Sequence, residues 1–225
     1  MHQAFVSWSG GKDCCLSCYR AVEEGMKVRF LLNMIREDGT RSRSHGLAVG
    51  ILQLQAEALD IPLVQRRATW DDYEAQFKDT LRGFKAEGVD SGIFGDIDFN
   101  EHRTWVDRVC GETGLTPRLP LWGLSQDRIM RDFVELGFEA VIVATQADRL
   151  GKEWLGRKID RKFLGELEEL GKTKGITPCG EAGEYHTLVT DGPLFKRRLE
   201  ILEAEIISKD EHWFLDISKG ELRKK

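Results

Sequence analysis

The residues best suited to chemistry near the N-terminus are the segment Ser9 to Asp13, with the sequence S-G-G-K-D. The residues before it, Gln3 to Trp8, form an apolar stretch of the length of a buried strand, and Cys14 to Glu24 has the pattern of a helix. A strand, a glycine turn and a helix N-terminus direct several backbone N–H groups and the positive end of a helix dipole to one point. This arrangement predicts a phosphate-binding site.

Each residue type in this segment suits an anion. Gly10 and Gly11 lack a Cβ, which permits an anion to approach the backbone closely and permits a turn with positive φ. Lys12 adds a full charge, Ser9 adds a hydroxyl donor, and Asp13 can hold a magnesium ion or cap the helix. The spacing differs from the common phosphate loop G-x-x-x-x-G-K-[ST], because the glycines adjoin the lysine. The alternative is a polar strand-to-helix turn without a ligand.

Two further candidate sites are associated with the carboxyl ends of predicted strands, Gly95 and Asp96 with the fourth strand and His45 with the second. Gly95 permits close approach of a nucleotide, and Asp96 can bind magnesium or a ribose hydroxyl, the alternative being a tight turn before the next helix. His45 lies in the loop after the second predicted strand, where it can contact phosphate or act as an acid or base. The alternative for His45 is an ordinary surface position.

A second polar segment runs from Pro178 to Thr187 and contains two carboxylates among small residues, followed by aromatic, imidazole and hydroxyl side chains. This composition suits a pocket that binds an ammonium, a magnesium ion or a cationic substrate group. The alternative is a glycine-rich turn that enters a strand. The candidate substrate-pocket residues are His45, Glu181, Gly183, Glu184, Tyr185, His186 and Thr187.

Short apolar stretches alternate with amphipathic helical stretches up to about Trp122, which predicts a parallel sheet covered on both faces. In such a sheet a ligand binds beyond the carboxyl ends of the strands, so a central first strand would bring its loop to the loop after the fourth. The predicted strands are Gln3 to Trp8, Val28 to Ile35, Pro62 to Ala68, Ser91 to Ile97 and Pro117 to Trp122; the helices are Asp13 to Glu24, Leu47 to Leu59, Trp70 to Glu87 and Glu101 to Thr113.

The ends of these helices have recognisable signals. Gly25, Gly88 and Gly114 stand where helices would end, and Thr69 stands where the third would begin. After Gly123 the pattern changes toward a smaller α/β lobe. Its predicted parts are the N-cap Ser125, a helix through Leu136 that stops at Gly137, a strand over Glu139 to Thr145, a loop over Ala147 to Gly156, a helix over Lys158 to Gly171, and mainly strands from His186 onward.

Composition excludes several classes of protein. The chain has 225 residues and a net charge of −5 with acids and bases interspersed, which argues against general nucleic-acid binding. No apolar run approaches the roughly 18 residues of a membrane span, and the N-terminus lacks a signal-peptide pattern, so we expect a cytoplasmic protein. The basic residues between Arg149 and Lys162 favour a solvated face over a docking surface.

The cysteines number five, an odd count, and Cys14, Cys15 and Cys18 fall in one predicted helix. In a cytosolic chain such residues indicate reduced thiols rather than a disulfide framework. Cys15 and Cys18 have the spacing of a redox or metal motif, but no second Cys/His pair accompanies them. Helix packing is therefore favoured for these side chains.

Four motifs in order along the chain resemble the diphthine-ammonia ligase family of ATP pyrophosphatases. They are S-G-G-K-D, G-D after the fourth strand, P-L-W at Pro120 to Trp122, and G-E-A-G-E-Y-H-T-L-V-x-D-G-P at Gly180 to Pro193. S-G-G-K-D resembles the PP-loop, which holds pyrophosphate while ATP is cleaved between its α- and β-phosphates. The resemblance implies a Rossmann-like PP-loop ATP-binding domain of the adenine nucleotide alpha hydrolase type over 1–122 and a smaller α/β substrate-binding lobe over 123–225.

Family roles transfer only where the motifs match. The resemblance implies magnesium at Asp13 and Asp96, catalysis by these two and Lys12, and a substrate pocket lined by Glu181, Gly183 and Glu184. The implied nucleotide-binding residues are Ser9, Gly10, Gly11, Lys12, Asp13, Cys14, Gly95 and Asp96. The sequence departs from the pattern at Cys14, where serine is usual, at Ala182, where glycine is usual, and at His186, where glutamate is frequent. Gly95 to Arg108 resembles a related branch of ATP pyrophosphatases.

The resemblance implies an ATP-dependent amide ligase that uses Mg²⁺. A carboxylate would attack the α-phosphorus of ATP, and free ammonium would supply the nitrogen, since no glutaminase domain is present. The implied acceptor is elongation factor 2 carrying diphthine, or a small carboxylate, and a homo-oligomer is compatible with the family. Two other functions stay open: activation of a tRNA base for sulfur transfer, with Cys110 and Cys179 as the candidate thiols, and nucleotide sensing without turnover.

Overall fold

A five-stranded parallel sheet organises the N-terminal half, in agreement with the predicted alternation. In the computed structural model, which describes residues 2–225, the strand order is β3-β2-β1-β4-β5, and β1 is central. The first strand pairs in parallel with both β2 and β4. The strands are β1 (Gln3–Ser7), β2 (Lys27–Ile35), β3 (Leu63–Arg67), β4 (Ser91–Ile93) and β5 (Thr116–Arg118).

Two of these strands, β4 and β5, are much shorter than the apolar stretches that predicted them. β4 ends at Ile93 although the apolar stretch continues to Ile97, and β5 ends at Arg118 although Leu121 is also buried. After Ile93 and after Arg118 the apolar residues therefore indicate burial, whereas the backbone pairing that defines a strand has already ended.

The four predicted helices of this half are confirmed as α1 (Lys12–Glu23), α2 (Val49–Leu59), α3 (Tyr73–Ala86) and α4 (Asn100–Thr113). Gly25, Gly88 and Gly114 follow helices and have positive φ, as the C-terminal glycine signal predicts. The predicted N-cap Thr69 is wrong. The N-cap of α3 is Asp72, whose Oδ1 accepts hydrogen bonds from both the backbone N–H and the hydroxyl of Thr69, at 2.6 and 2.7 Å.

An aromatic core holds α3 against the sheet. The Phe5 ring on β1 contacts Phe77, Phe84 and Phe94, with centroid distances between 5.5 and 6.3 Å. Phe77, Leu81 and Phe84 are buried on one face of α3, as expected for residues at this helical spacing. This packing fixes the central strand that carries the glycine loop at its carboxyl end.

The C-terminal part of the chain contains a four-stranded antiparallel sheet in the order β7-β6-β9-β8. Its elements are α5 (Gln126–Glu135), β6 (Glu139–Gln146), a short 3-10 helix (Lys152–Trp154), α6 (Arg161–Lys174), β7 (Tyr185–Asp191), β8 (Arg197–Lys209) and β9 (His212–Lys224). Ser125 is the N-cap residue of α5, as predicted. The start predicted for the next helix is wrong, because Asp160 caps α6 by accepting from the Phe163 N–H, and Gly171 lies inside that helix.

The chain divides into two compact units. The first comprises residues 2–9, Asp13–Ser44 and Asp60–Gly123, and the second comprises Gly10–Lys12, His45–Leu59 and Leu124–Lys225. The helix α2 thus belongs with the C-terminal sheet, against which it packs through β8 and β9. The α/β fold class is confirmed, and the domain boundary at Trp122 and Gly123 stays a prediction. Within residues 2–225 no helix has both the length and the apolar character needed to span a membrane.

Candidate active site

Gly10 occupies a position that only glycine fits. Its φ is +81°, and a Cβ there would lie 2.5 Å from Leu52 Cδ2 and 2.9 Å from Gln55 Oε1. Its carbonyl oxygen accepts hydrogen bonds from Gln55 Nε2 and from the Val189 N–H, both at 3.0 Å. The backbone of the loop is therefore fixed on one side by α2 and on the other by β7.

Gln55 is a residue that sequence reasoning did not identify. It is fully buried on α2, and besides Gly10 its Nε2 donates to the Val189 carbonyl oxygen at 2.7 Å. The signal in the sequence is an amide on the apolar face of the helix, where Leu52, Ala56 and Leu59 are its buried neighbours, whereas the other amide, Gln53, is exposed. Gln55 positions the loop through these hydrogen bonds.

Lys12 begins α1 and is almost completely buried, with 4% of its surface exposed. Its backbone N–H donates to Thr187 Oγ1 at 3.0 Å. Its Nζ donates to the carbonyl oxygen of Cys179 and lies 5.4 Å from the centroid of the Tyr185 ring. A carbonyl oxygen and an aromatic face thus stabilise the ammonium group.

Two imidazoles lie beside this lysine. The rings of His45 and His186 stack with a centroid distance of 4.5 Å and an interplanar angle of 24°. Burial lowers the pKa of His45 well below its usual value, helped by His186 and Lys12, and burial and Lys12 lower the pKa of His186 to about 4. Both rings are therefore neutral at neutral pH.

The polar segment before β7 forms a turn that is stabilised by hydrogen bonds among its own residues. Glu184 is fully buried, and its carboxylate accepts from the backbone N–H of Thr177 at 2.6 Å and from the hydroxyl of Thr177 at 3.1 Å. That hydroxyl also accepts from the Glu181 N–H at 2.9 Å, and the Tyr185 hydroxyl donates to the Pro178 carbonyl oxygen. Glu184 therefore shapes the turn, and its predicted contact with a substrate stays a prediction.

Glu181 and Gly183 lie at the outer side of this turn. Both are half-buried, and Gly183 has a φ of +83° with open space where a Cβ would stand. The Glu181 carboxylate is thus the less buried of the two in the motif. Thr187, by contrast, is buried and is bonded to the Lys12 backbone. The structure brings Gly11, Lys12, His45, Tyr185, His186 and Thr187 together.

The first unit carries the predicted metal-binding residues. A Cβ on Gly95 would lie 2.9 Å from the Cys14 backbone nitrogen and 3.0 Å from the Asp13 carbonyl carbon, so the loop after β4 contacts the first turn of α1. Burial raises the pKa of Asp96, and the charge of Asp13 raises it further, while His102 at 3.2 Å opposes the shift. The meeting of the two loops, predicted from the topology, is confirmed.

Asp13 and Asp96 fit a magnesium ion better than a transition metal. Mg²⁺ is commonly bound by one or two carboxylates together with substrate phosphates and water. In the described part of the chain, residues 2–225, no three His, Cys, Asp or Glu side chains form a metal-binding group. A cation bound by these two carboxylates would also offset the burial that raises the pKa of Asp96 and the smaller repulsion from Asp13.

The cysteines are packing residues. Within residues 2–225 no two cysteines form a disulfide, all five are buried, and Ser9 Oγ donates to Cys14 Sγ at 3.4 Å. Burial raises the pKa of both Cys18 and Cys110 to about 12, which disfavours the reactive thiolate. The side chain of Cys179 donates to the Gln126 carbonyl oxygen at 3.5 Å. The predicted preference for helix packing at Cys15 and Cys18 agrees with this burial.

A glycine loop between a central parallel strand and a helix N-terminus places the chain in the PP-loop class of ATP-binding α/β proteins. The sequence also matches two family models, the diphthamide synthase N-terminal domain over residues 2–117 and the diphthamide synthase C-terminal domain over residues 125–222. The chain therefore belongs to the diphthamide synthase family, which confirms the predicted resemblance.

Three relatives illustrate the similarity, and each is named a diphthine–ammonia ligase. The protein from Schizosaccharomyces pombe is 30% identical over 218 residues, which cover 88% of this chain and 36% of that protein. Those from Rattus norvegicus and Homo sapiens are 30% and 28% identical, with 88% of this chain and 82% of each relative covered. The chain thus spans about a third of the yeast protein. The predicted enzyme class, a ligase forming a carbon–nitrogen bond, is confirmed at the level of the family.

Solved structures are similar at a lower level. A predicted subunit of tRNA methyltransferase from Methanocaldococcus jannaschii aligns with a TM-score of 0.47 and 14% identity over 86% of this chain and 98% of its own. A 4-thiouridine synthetase in complex with RNA and ATP aligns with a TM-score of 0.43 and 12% identity over 84% of this chain and 55% of its own. Similarity at this level does not transfer an activity.

Proposed function

We propose that this chain is an ATP-dependent amide ligase that adenylates a carboxylate and then transfers ammonia to it, as a diphthine–ammonia ligase. The observation that carries the proposal is the glycine loop with the buried Lys12 at the start of α1. Helix N-terminal N–H groups and a lysine ammonium stabilise the charge that develops on pyrophosphate as it leaves. The family membership and the names of the relatives support the same chemistry.

The reaction needs ATP because a carboxylate is a poor electrophile. A carboxylate oxygen of the acceptor attacks the α-phosphorus, the bond to the β-phosphate oxygen breaks, and pyrophosphate leaves. Ammonia then attacks the acyl carbon, AMP leaves with the carboxylate oxygen, and the nitrogen loses its extra proton to give the amide. Magnesium held by Asp13 and Asp96 would supply charge stabilisation at the phosphates. No enzyme nucleophile is required.

Lys12 has to change partner during this reaction. Its Nζ is bonded to the Cys179 carbonyl oxygen, and a phosphate oxygen is a better acceptor because it is charged. We therefore expect Lys12 to exchange the carbonyl for a phosphate oxygen when ATP binds. The Tyr185 ring, whose centroid lies 5.4 Å from Nζ, is the second group that Lys12 contacts before the exchange.

The turn around Glu181 is the proposed acceptor pocket. Glu181 is half-buried and carries a negative charge suited to a cationic group on the acceptor. We propose elongation factor 2 carrying diphthine as the acceptor, with a small carboxylate as the alternative. Free ammonium is the proposed nitrogen source, the cytoplasm the proposed compartment, and a homo-oligomer is compatible with this function.

The test compares Lys12→Ala with Lys172→Ala, a matched change at an exposed lysine paired with Glu168 and Glu169. AMP and pyrophosphate release are measured with ¹⁵N-ammonium and either diphthine-bearing elongation factor 2 or a panel of small carboxylates. We expect Lys12→Ala to abolish AMP formation, Lys172→Ala to preserve it, and ¹⁵N to enter the product. Near-normal turnover by Lys12→Ala would contradict the assignment of the loop.

The buried thiols disfavour sulfur transfer as the function. Cys110 lies in the apolar core with a raised pKa, and Cys179 is buried with its thiol bonded to a backbone carbonyl. A persulfide carrier needs an accessible thiolate. A variant with both cysteines replaced by alanine should therefore keep its turnover.

A further inference from the structure

His45 lies directly against the glycine loop. A Cβ on Gly11 would be 2.4 Å from His45 Cε1, so the ring occupies the space that a side chain at position 11 would fill. Nδ1 is the nearer ring nitrogen, 3.1 Å from that Cβ position, and Nε2 is bonded to the same Cε1. Neither the family models nor the names of the relatives assign a role to this histidine.

The tautomer of His45 follows from its hydrogen bond. Its Nδ1 lies 3.1 Å from the Thr187 carbonyl oxygen, which can only accept. Nδ1 therefore carries the proton, and in the neutral ring Nε2 carries a lone pair. A lone pair repels a phosphate oxygen, whereas a proton on Nε2 converts the same atom into a charged donor.

Burial and, after it, the charges around the two rings keep both rings neutral without a ligand. Lys12 faces both rings from α1, His212 faces His186 from β9, and these groups oppose protonation together with burial. Glu184 favours protonation of His186, but it is bonded to Thr177. A polyphosphate bound at the loop would add several negative charges here, and the local field would then favour a cation.

We propose that binding of polyphosphate at Gly10–Lys12 draws one proton from solvent onto Nε2 of His45, so that this residue becomes a second cation beside Lys12. The proposal rests on the proposed function, because it requires a polyphosphate at this loop. His186 stays neutral and offers its ring face to the new imidazolium at 4.5 Å. The Thr187 carbonyl oxygen keeps the ring in place in both protonation states.

Proton uptake distinguishes this role from a purely structural one. ATP binding is measured by titration calorimetry in two buffers of different ionisation enthalpy, with wild type, His45→Gln and the exposed control His2→Gln. Glutamine can still donate to the Thr187 carbonyl oxygen but cannot bind a proton. On binding ATP, wild type and His2→Gln should each take up as much as about one proton more than His45→Gln. The affinity of wild type for ATP should also fall as pH rises, by up to about tenfold per pH unit.

Protons bound or released by ATP itself contribute equally in wild type and in His45→Gln, so they do not affect the difference between the two. Equal uptake by wild type and His45→Gln would overturn the proposal, whereas failure of wild type to bind ATP would overturn the proposed function instead. If His45→Gln does not fold, NMR of the wild-type protein provides the same test. Addition of ATP should shift the His45 Cε1–H resonance to the imidazolium position, and an unchanged resonance in the bound protein would overturn the proposal.

Discussion

Replacing His186 with glutamine should make folding less sensitive to acid. Burial and the charge of Lys12 lower the pKa of His186 to about 4, from an ordinary value of 6.5. The unfolded chain therefore binds a proton more readily than the folded chain between these values. Stability conferred by the neutral ring is full above pH 6.5 and is lost as pH falls toward about 4. The difference between these two pKa values corresponds to roughly 3 kcal/mol of unfolding free energy below pH 4, and to about 2 to 3 kcal/mol near pH 4.5.

The assay is urea unfolding followed by tryptophan fluorescence at neutral pH and near pH 4.5. The measured quantity is the change in unfolding free energy between the two pH values, and the expected loss is about 2 to 3 kcal/mol smaller in His186→Gln than in wild type. His2→Gln is the control, because His2 is mostly exposed, and it should behave as wild type. Identical pH dependence in His186→Gln and wild type would refute the reasoning, since it would mean that protonation of His186 costs the folded state nothing.

Three further changes test the loop and its supports. Gly10→Ala should abolish AMP formation and should destabilise folding more than Gly25→Ala does. Both glycines have positive φ, but only Gly10 has other atoms close to the position that a Cβ would take. The urea midpoints of the two variants measure the difference. Gln55→Leu removes the donor to the Val189 carbonyl oxygen, so the free energy of unfolding should fall by about 1–3 kcal/mol, and an unchanged value would contradict the role given to Gln55. Asp96→Asn should raise the magnesium concentration needed for half-maximal AMP formation by roughly tenfold or more, and an unaltered magnesium titration would exclude Asp96 as a ligand.

The sequence by itself determined the parallel sheet and the glycine loop between the first strand and the first helix. Strands and helices are predicted from the local periodicity of apolar residues, and a helix end is predicted from a glycine that can adopt positive φ. Both signals depend only on residues that are close together in the sequence. Gly10 and Lys12 were identified for the same reason, since the strand, turn and helix that present them are consecutive in the chain. The errors at Thr69 and Lys158 are errors of about one turn, where several residues compete to cap a helix.

Only the tertiary structure decided how this loop is supported. Lys12 meets Thr187 across 175 positions of sequence, and Gln55 meets Val189 across 134. Such contacts cannot be predicted from the periodicity of the sequence. They depend on how α2 and β7 pack, and not on the pattern of apolar residues within either element. For the same reason the carboxylate of Glu184, which the sequence presents as a pocket residue, is buried against Thr177. Local order determines which residues can bind phosphate, and packing between distant segments determines which of them are held beside Lys12.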